Sequence, residues 1–172
     1  LLVIFGDHGI HAPTGKHAPA YEVPLRLQGL RVPLVMFNRK LIEQPAAFDK
    51  LAGEPDVLPT VAALTETSYI NTTLGRDLTD ERFDDMRYAF TVEHAGDRTI
   101  GLLSDSHYLQ MKADGSQLRL QQLDSDDPRQ DQAEANPALT NRMRETLSAI
   151  WESIRYIREH NTPVEQPPAE QN

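Results

Sequence analysis

The first nine residues constrain this chain most, because they join an apolar strand directly to a turn with metal-binding side chains. Leu1–Phe5 reads LLVIF, an unbroken apolar run that is typical of a strand covered on both faces in a parallel sheet. Asp7 and His8 follow, between Gly6 and Gly9. Because ligands bind beyond the carboxyl ends of strands in doubly wound sheets, this position predicts a binding site.

Composition allows one folded domain and excludes several classes of function. The chain has 172 residues, of which 39% are hydrophobic and 25% charged, and its net charge is -9, which fits one globular domain. An acidic chain without a basic stripe is poorly suited to bind along a nucleic-acid backbone, so no nucleic-acid partner is expected. The absence of cysteine excludes thiolate metal sites, disulfides and thiol nucleophiles. No apolar run approaches the roughly 18 residues that span a bilayer.

The order of the predicted elements favours an α/β fold. A second buried strand is predicted at Arg31–Phe37, and a helix at Glu54–Glu66 with Asp56 as its N-cap. Three short strands and a further piece follow as an antiparallel meander, which we expect at the edge of a mostly parallel sheet. The strands are predicted at Arg87–Glu93, Arg98–Leu103 and Ser106–Lys112, and the further piece at Gln117–Leu123.

The C-terminal part of the sequence combines a polar loop, a long helix and a tail. Asp124–Pro137 is acidic and turn-rich, which predicts an exposed loop. In Ala138–His160 apolar residues recur every three or four positions, as in an amphipathic helix that packs on a core. The Pro-rich segment 161–172 predicts a disordered tail. The sequence begins directly with a strand that we expect to be buried, and no polar residues precede it. We therefore also expect the chain to be the C-terminal part of a longer polypeptide.

Adjacent Asp and His side chains in a tight glycine turn suit a divalent metal of intermediate softness, such as Zn or Mn. Spacing alone leaves a second interpretation open, in which Asp7 caps the turn and His8 is a hydrogen-bonded turn residue. Two ligands do not hold a metal firmly, so further ligands would have to come from elsewhere. Taken alone, His11, Lys16 and His17 would be ordinary loop or surface residues.

Five motifs occur in one fixed order along the chain. They are GDHG after the first strand, GKH at 15–17, Gln28 shortly before the VPL of Val32–Leu34, DVLPT at Asp56–Thr60 and GRDL at Gly75–Leu78. In this order they resemble the C-terminal half of the sulfatase and phosphoglycerol or phosphoethanolamine transferase group of the alkaline-phosphatase superfamily. Within this group the chain most resembles the lipoteichoic-acid-synthase-like and phosphoethanolamine-transferase branch. The resemblance covers residues 1–160 and implies the C-terminal part of an alkaline-phosphatase-like catalytic domain there.

The resemblance implies roles for individual residues. It makes Asp7 and His8 ligands of a catalytic divalent metal, with Mn or Zn preferred and Ca or Mg as alternatives. A later position in this family contacts the transferred group, and here it falls on Lys16 or His17. Sulfatases tend to have Lys at this position, and phosphoethanolamine transferases tend to have His. Because the two residues are adjacent in this chain, the motif leaves the choice between them open.

The resemblance also implies that this chain is incomplete as a catalyst. In the family the nucleophile, which is a Thr, Ser or formylglycine, and a further acidic metal ligand come from the N-terminal half of the domain. Neither Thr14 nor Thr60 matches the nucleophile position, and Asp56 is expected to be a helix cap, not a ligand. The missing N-terminal half is therefore an expected partner, and the chain alone is expected to be inactive.

Three hypotheses for the function follow. The first is a metal-dependent phosphotransferase that passes phosphoglycerol or phosphoethanolamine from a phospholipid to a cell-envelope glycan or lipid. The second is a sulfatase that hydrolyses a sulfate ester. The third is a non-catalytic α/β module that binds partners through the acidic segment Asp124–Asp131. For the two enzymes, the resemblance implies a protein anchored in the inner membrane by segments outside this chain, with this domain facing the periplasm or the cell exterior.

Overall fold

The strands of this protein form two separate antiparallel sheets. A computed structural model describes residues 1–10, 18–93 and 98–161. The short 3₁₀ turns lie at Leu27–Gly29, Glu54–Asp56 and Glu81–Met86. The remaining elements, in chain order, are β1 (Leu2–Phe5), β2 (Leu34–Phe37), α1 (Val57–Leu64), β3 (Ala89–Val92), β4 (Thr99–Leu103), β5 (His107–Lys112), β6 (Arg119–Gln122) and α2 (Pro137–His160).

The two strands predicted for a parallel sheet instead pair with each other in an antiparallel ribbon. Leu2 pairs with Phe37 and Phe5 with Leu34, and no parallel pair exists among the described strands. The prediction of a mostly parallel, alkaline-phosphatase-like sheet is therefore wrong. A parallel pair needs a crossover, usually a helix, whereas the described part of the connection between β1 and β2 contains only a short 3₁₀ turn. The predicted burial of these strands is wrong too, since most of their side chains are exposed.

The second sheet is the predicted meander, in which the further piece forms a fourth strand. Its strand order is β3-β4-β5-β6, and all three pairings are antiparallel. It is a sheet of its own and not the edge of a parallel sheet, which corrects the predicted placement. Leu109 and Met111 of β5 and Leu120 of β6 are buried in the core. This alternation is expected where one face of an antiparallel sheet covers a core.

Helix α2 supplies the other half of this core. Met143, Leu147 and Ile150 are buried at three- and four-residue spacing against the sheet, so the predicted amphipathic helix is confirmed. Trp151 stacks on Phe90 of β3, with ring centroids 6.3 Å apart. None of the described helices is both long and apolar enough to cross a membrane. Beyond Asn161, the predicted disordered tail lies outside the described residues.

A second apolar cluster joins the segment before β2 to the meander. Leu25 and Leu27 pack there with Tyr108 and Leu123. Tyr108 directly precedes Leu109, which faces α2. Because successive side chains of a strand point to opposite faces, the Tyr108 side chain points away from α2. The Tyr108 hydroxyl group and Thr91 Oγ1 form a hydrogen bond of 2.9 Å. This cluster anchors the chain segment that supports the turn after β1.

The predicted acidic loop is irregular, but it docks on the open edge of the meander. Asp131 Oδ1 accepts hydrogen bonds from the N–H groups of Leu120 at 3.1 Å and Ala133 at 3.0 Å. The Gln132 N–H donates to the Leu120 carbonyl oxygen at 2.7 Å. These contacts satisfy backbone groups of β6, which is an edge strand. The loop is therefore part of the fold as well as a connection to α2.

Candidate functional site

The candidate metal ligands Asp7 and His8 lie directly after β1, in a turn that we call the Asp-His turn (residues 7–9). Both side chains are exposed, and Asp7 Oδ1 accepts a hydrogen bond from the His8 N–H at 3.0 Å. His8 Nδ1 lies 2.8 Å from the Gly9 carbonyl oxygen. A carbonyl oxygen only accepts, so Nδ1 carries the proton in this contact. In the neutral imidazole the lone pair is then on Nε2, the atom that can bind a metal ion.

The surroundings of His8 favour its protonated form. The Gly9 carbonyl group, followed by the Asp7 carboxylate, raises the pKa of His8 above its usual value of 6.5. The carboxylate carries a full negative charge and the carbonyl oxygen a partial one. Both therefore interact more favourably with imidazolium than with imidazole. A proton therefore competes with any metal ion for Nε2.

A close backbone approach at Gly9 holds the Asp-His turn in place. The Gly9 N–H donates to the Gly29 carbonyl oxygen at 2.9 Å. A Cβ atom built on Gly9 would lie 2.0 Å from the Gln28 carbonyl oxygen and 2.8 Å from the Arg31 carbonyl oxygen. Any side chain at this position would push the two segments apart, so the turn requires glycine here.

An ion pair supports the segment on which Gly9 packs. Arg31 Nη1 donates to Glu22 Oε1 at 2.5 Å, and the Glu22 side chain is buried while that of Arg31 is exposed. The Leu27 N–H donates to the Glu22 carbonyl oxygen at 2.9 Å. Since Leu25 and Leu27 pack on the meander, this segment connects the Asp-His turn to the folded core.

The structure brings together only part of the predicted site. Asp7 and His8 are neighbours in one turn, whereas Lys16 and His17, the predicted substrate-binding residues, lie outside the described residues. Among the residues that the structure describes, no group of three or more His, Cys, Asp or Glu side chains is arranged to hold a metal ion. The carboxylate and imidazole fit a divalent metal such as Zn or Mn in chemical type, but a stable site needs more ligands than these two.

Thr60 and Asp56 have structural roles. The Thr60 hydroxyl donates to the Asp56 carbonyl oxygen at 2.7 Å and accepts from the Leu78 N–H at 3.0 Å, so it links α1 to the GRDL loop. Asp56 stands directly before α1, as predicted for a cap, but its carboxylate does not cap α1. It accepts a hydrogen bond from the Gly53 N–H at 2.9 Å instead. Thr14 lies outside the described residues.

Sequence reasoning missed the partner of Asp56, which is Arg76 of the GRDL motif. Arg76 Nε and Nη2 donate to the Asp56 carboxylate at 3.2 and 3.0 Å, and both side chains are buried. The guanidinium group also lies 4.4 Å from the centroid of the Tyr88 ring. The DVLPT and GRDL motifs are thus joined by a buried ion pair. The signal that could have suggested it was the presence of an acidic residue at the start of DVLPT and a basic residue in GRDL.

A shallow, open cleft lies beside α1, apart from the Asp-His turn. Its walls include Glu66, Asn71, Asp80 and Arg82, and no residue of the Asp-His turn lines it. Asp80 and Arg82 are paired with each other at 2.6 Å. The cleft therefore has no part in the candidate metal site, whose two donors lie on an exposed surface.

The candidate site is defined by its own geometry and by the order of the sequence motifs. The sequence matches no protein-family model and no curated protein. An exposed carboxylate stands beside an imidazole whose Nδ1 is held by a backbone carbonyl. Such a pair can donate one oxygen and one nitrogen to a divalent cation, and a cation in that position can bind an oxyanion.

Proposed function

We propose that this chain is part of a metal-dependent phosphotransferase related to the sulfatases, and that it is inactive alone. The transferred group is phosphoglycerol or phosphoethanolamine, taken from a phospholipid and passed to a cell-envelope glycan or lipid. One observation carries the proposal: His8 Nδ1 donates to the Gly9 carbonyl group, next to the exposed carboxylate of Asp7. The order of the five sequence motifs supports the choice of reaction.

Asp7 and His8 each supply one ligand to a divalent cation, with Mn²⁺ or Zn²⁺ preferred and Ca²⁺ or Mg²⁺ as alternatives. The hydrogen bond from Nδ1 to the Gly9 carbonyl group fixes the tautomer and ring orientation that present Nε2. When bound, the cation supplies Lewis-acid stabilisation of the charge on the transferred group and lowers the pKa of a hydroxyl nucleophile. The remaining ligands and the nucleophile come from an N-terminal half of the same domain.

Lys16 and His17 follow the Asp-His turn in the sequence and are the candidates for contact with the transferred group. A Lys ammonium group neutralises a non-bridging oxygen. A His side chain can do the same and can also give a proton to the leaving oxygen. A phospholipid substrate places the reaction at a membrane surface, with the anchoring segments outside this chain and the domain facing the periplasm or the cell exterior.

A sulfatase is the second candidate, because Lys16 is the residue type that the resemblance associates with sulfate esters. Both enzymes use the same two metal ligands, so the choice depends on the transferred group. Assays of the complete protein with a phospholipid and with an aryl sulfate distinguish them. We expect turnover of the phospholipid, and turnover of the aryl sulfate alone would replace the first candidate with the second.

Calorimetric titration of the complete protein with Mn²⁺ and Zn²⁺ tests the metal site directly. Asp7→Ala and His8→Ala should each weaken binding by about tenfold or more. His160→Ala is the matched control, because His160 is exposed and its Nδ1 also lies 2.8 Å from a backbone carbonyl oxygen, that of Tyr156. In the complete protein, Asp7→Ala should abolish turnover. Undiminished metal binding and activity in this variant would overturn the proposal.

A further inference from the structure

We infer that the cleft beside α1 is a binding site for a neutral saccharide, and that it holds one or two sugar rings of a glycan. Such a site is separate from the proposed metal site, because no residue of the Asp-His turn lines the cleft. The cleft volume of about 440 Å³ lies within the range of roughly 300 to 1,000 Å³ that is usual for small-molecule sites. Because the cleft is open, a longer glycan chain can continue beyond it.

The backbone of Glu66, at the end of α1, has a conformation that glycine adopts more easily. The Thr67 N–H donates to the Ala62 carbonyl oxygen at 2.9 Å, and the Glu66 N–H donates to the Ala63 carbonyl oxygen at 3.1 Å. These two bonds form a Schellman motif, which usually has glycine in the left-handed position. Glu66 occupies that position with a φ of 52°, which is strained for a residue with a Cβ atom. Strain of this kind is concentrated at functional sites, so we assign the role of Glu66 to its side chain.

The side chains of Glu66 and Arg82 bring an acceptor and a donor to the same cleft. Both residues line it and are exposed. The Glu66 carboxylate makes no hydrogen bond or ion pair with any residue that the structure describes. Arg82 Nε and Nη2 donate to the Asp80 carboxylate at 2.9 and 2.6 Å, and Nη1 has no partner in the same described ranges. A ligand in the cleft can therefore donate to a carboxylate and accept from a guanidinium group.

This combination of groups matches the two kinds of surface on a sugar ring. Each sugar hydroxyl both donates and accepts, so neighbouring hydroxyls can bind a carboxylate and a guanidinium group together. The C–H groups of the ring form an apolar face, which packs on aromatic and aliphatic side chains. Such side chains also line the cleft, and the Tyr69 residue among them is 39% exposed. They are Pro59, Ala62, Ala63, Tyr69 and Phe83.

The charges around the cleft favour a neutral ligand over an anion or a cation. Three carboxylates line it, those of Glu66, Asp77 and Asp80, and they disfavour a phosphate group. The exposed guanidinium group of Arg82 pairs with Asp80 and also interacts with Asp77, and it disfavours an amine. The positive charge of Arg76 is already neutralised by its buried ion pair. A ligand without charge avoids both kinds of repulsion.

Calorimetric titration of the complete protein with maltotriose, cellotriose and N,N′-diacetylchitobiose tests the saccharide site. EDTA is present throughout, so the result does not depend on the proposed metal site. We expect at least one of these neutral saccharides to bind, and Glu66→Gly and Arg82→Ala should each weaken its binding by about tenfold. Spermidine is the cationic probe and glucose 6-phosphate the anionic probe, and neither should bind at the same concentration.

Gln117→Gly is the matched control for Glu66→Gly. Gln117 is exposed, has a φ of 54° and does not line the cleft. Both substitutions place glycine where the backbone is left-handed, so both should raise the Tm of the protein. Only Glu66→Gly should weaken saccharide binding. The melting curves also verify that the variants fold.

Several results would overturn the saccharide site. One is the absence of binding by all three saccharides at millimolar concentration, and another is binding of spermidine or glucose 6-phosphate alone. Saccharide binding that is unchanged in both Glu66→Gly and Arg82→Ala would place the ligand elsewhere. An equal loss of binding in Gln117→Gly would assign the effect to the backbone. A lower Tm for Glu66→Gly would show that the Glu66 side chain serves the fold.

Discussion

Arg76 donates three hydrogen bonds to the buried carboxylate of Asp56, from its backbone N–H and from Nε and Nη2. Asp56 is 2% exposed and Arg76 7%. The same guanidinium group donates to the carbonyl oxygens of Met86 and Tyr88. One side chain thus ties the turn before α1 to the segment that leads into β3. In the interior such a network is favourable only when its donors and acceptors are matched.

Arg76→Ala should therefore destabilise the protein by about 3–5 kcal/mol, because it leaves the Asp56 carboxylate buried without its cation. The matched control is Arg82→Ala, which breaks the 2.6 Å pair between Arg82 and Asp80. Because the Arg82 side chain is 84% exposed, this variant should lose far less stability. Urea unfolding of both variants measures the difference. Equal losses would contradict a special role for the buried pair.

Gly9→Ala should distort the Asp-His turn, because the added Cβ would lie 2.0 Å from the Gln28 carbonyl oxygen. Overpacking of this kind typically costs about 1–3 kcal/mol, and loss of the turn geometry should also weaken binding of Mn²⁺ or Zn²⁺. Gly53→Ala is the control, since the nearest atom to its Cβ would be 3.5 Å away. Calorimetry and urea unfolding measure the two effects. A Gly9→Ala variant with unchanged metal affinity would separate the turn from metal binding.

Local signals in the sequence predicted the meander and α2 well. Apolar steps of three and four residues placed Met143, Leu147 and Ile150 on one face of a helix, and the structure buries all three. Turn residues such as Asp114 and Gly115 separated strands that pair in sequence order. These features depend on neighbours close in the chain, so a single sequence contains them.

Long-range features could not be predicted in the same way. The apolar run Leu1–Phe5 indicates a strand without a polar face, but nothing in it specifies whether the partner strand runs parallel or antiparallel. The contact between Asp56 and Arg76 joins residues 20 positions apart, and no periodicity encodes it. For the candidate site, the sequence predicted that Asp7 and His8 lie in a turn after β1. It could not predict the hydrogen bond from His8 Nδ1 to the Gly9 carbonyl group.

Alkaline pH should unfold the protein partly through Tyr108. Burial of the phenol raises its pKa above the usual value of 10.0, although a hydrogen bond with Thr91 opposes this. The folded state thus holds this proton more tightly than the unfolded state, and stability is full below pH 10 and declines as the pH rises through the folded pKa. Absorbance titration should show a tyrosine that ionises above pH 10, and this step should be absent in Tyr108→Phe. In Tyr108→Phe the decline should be smaller, and an unchanged decline would assign it to other groups.

Asp131→Ala should expose the edge of β6, because Asp131 Oδ1 accepts hydrogen bonds from the N–H groups of Leu120 and Ala133. We expect faster hydrogen exchange at the Leu120 amide and a stability loss of about 1 kcal/mol, as is usual for a lost hydrogen bond. Asp126→Ala, in the same acidic loop and exposed, is the control for the change in charge. If both variants accelerated exchange equally, the effect would come from loop charge and not from the contact. A specific effect of Asp131→Ala would instead show that this acidic segment serves the fold, which weakens its interpretation as a free binding surface.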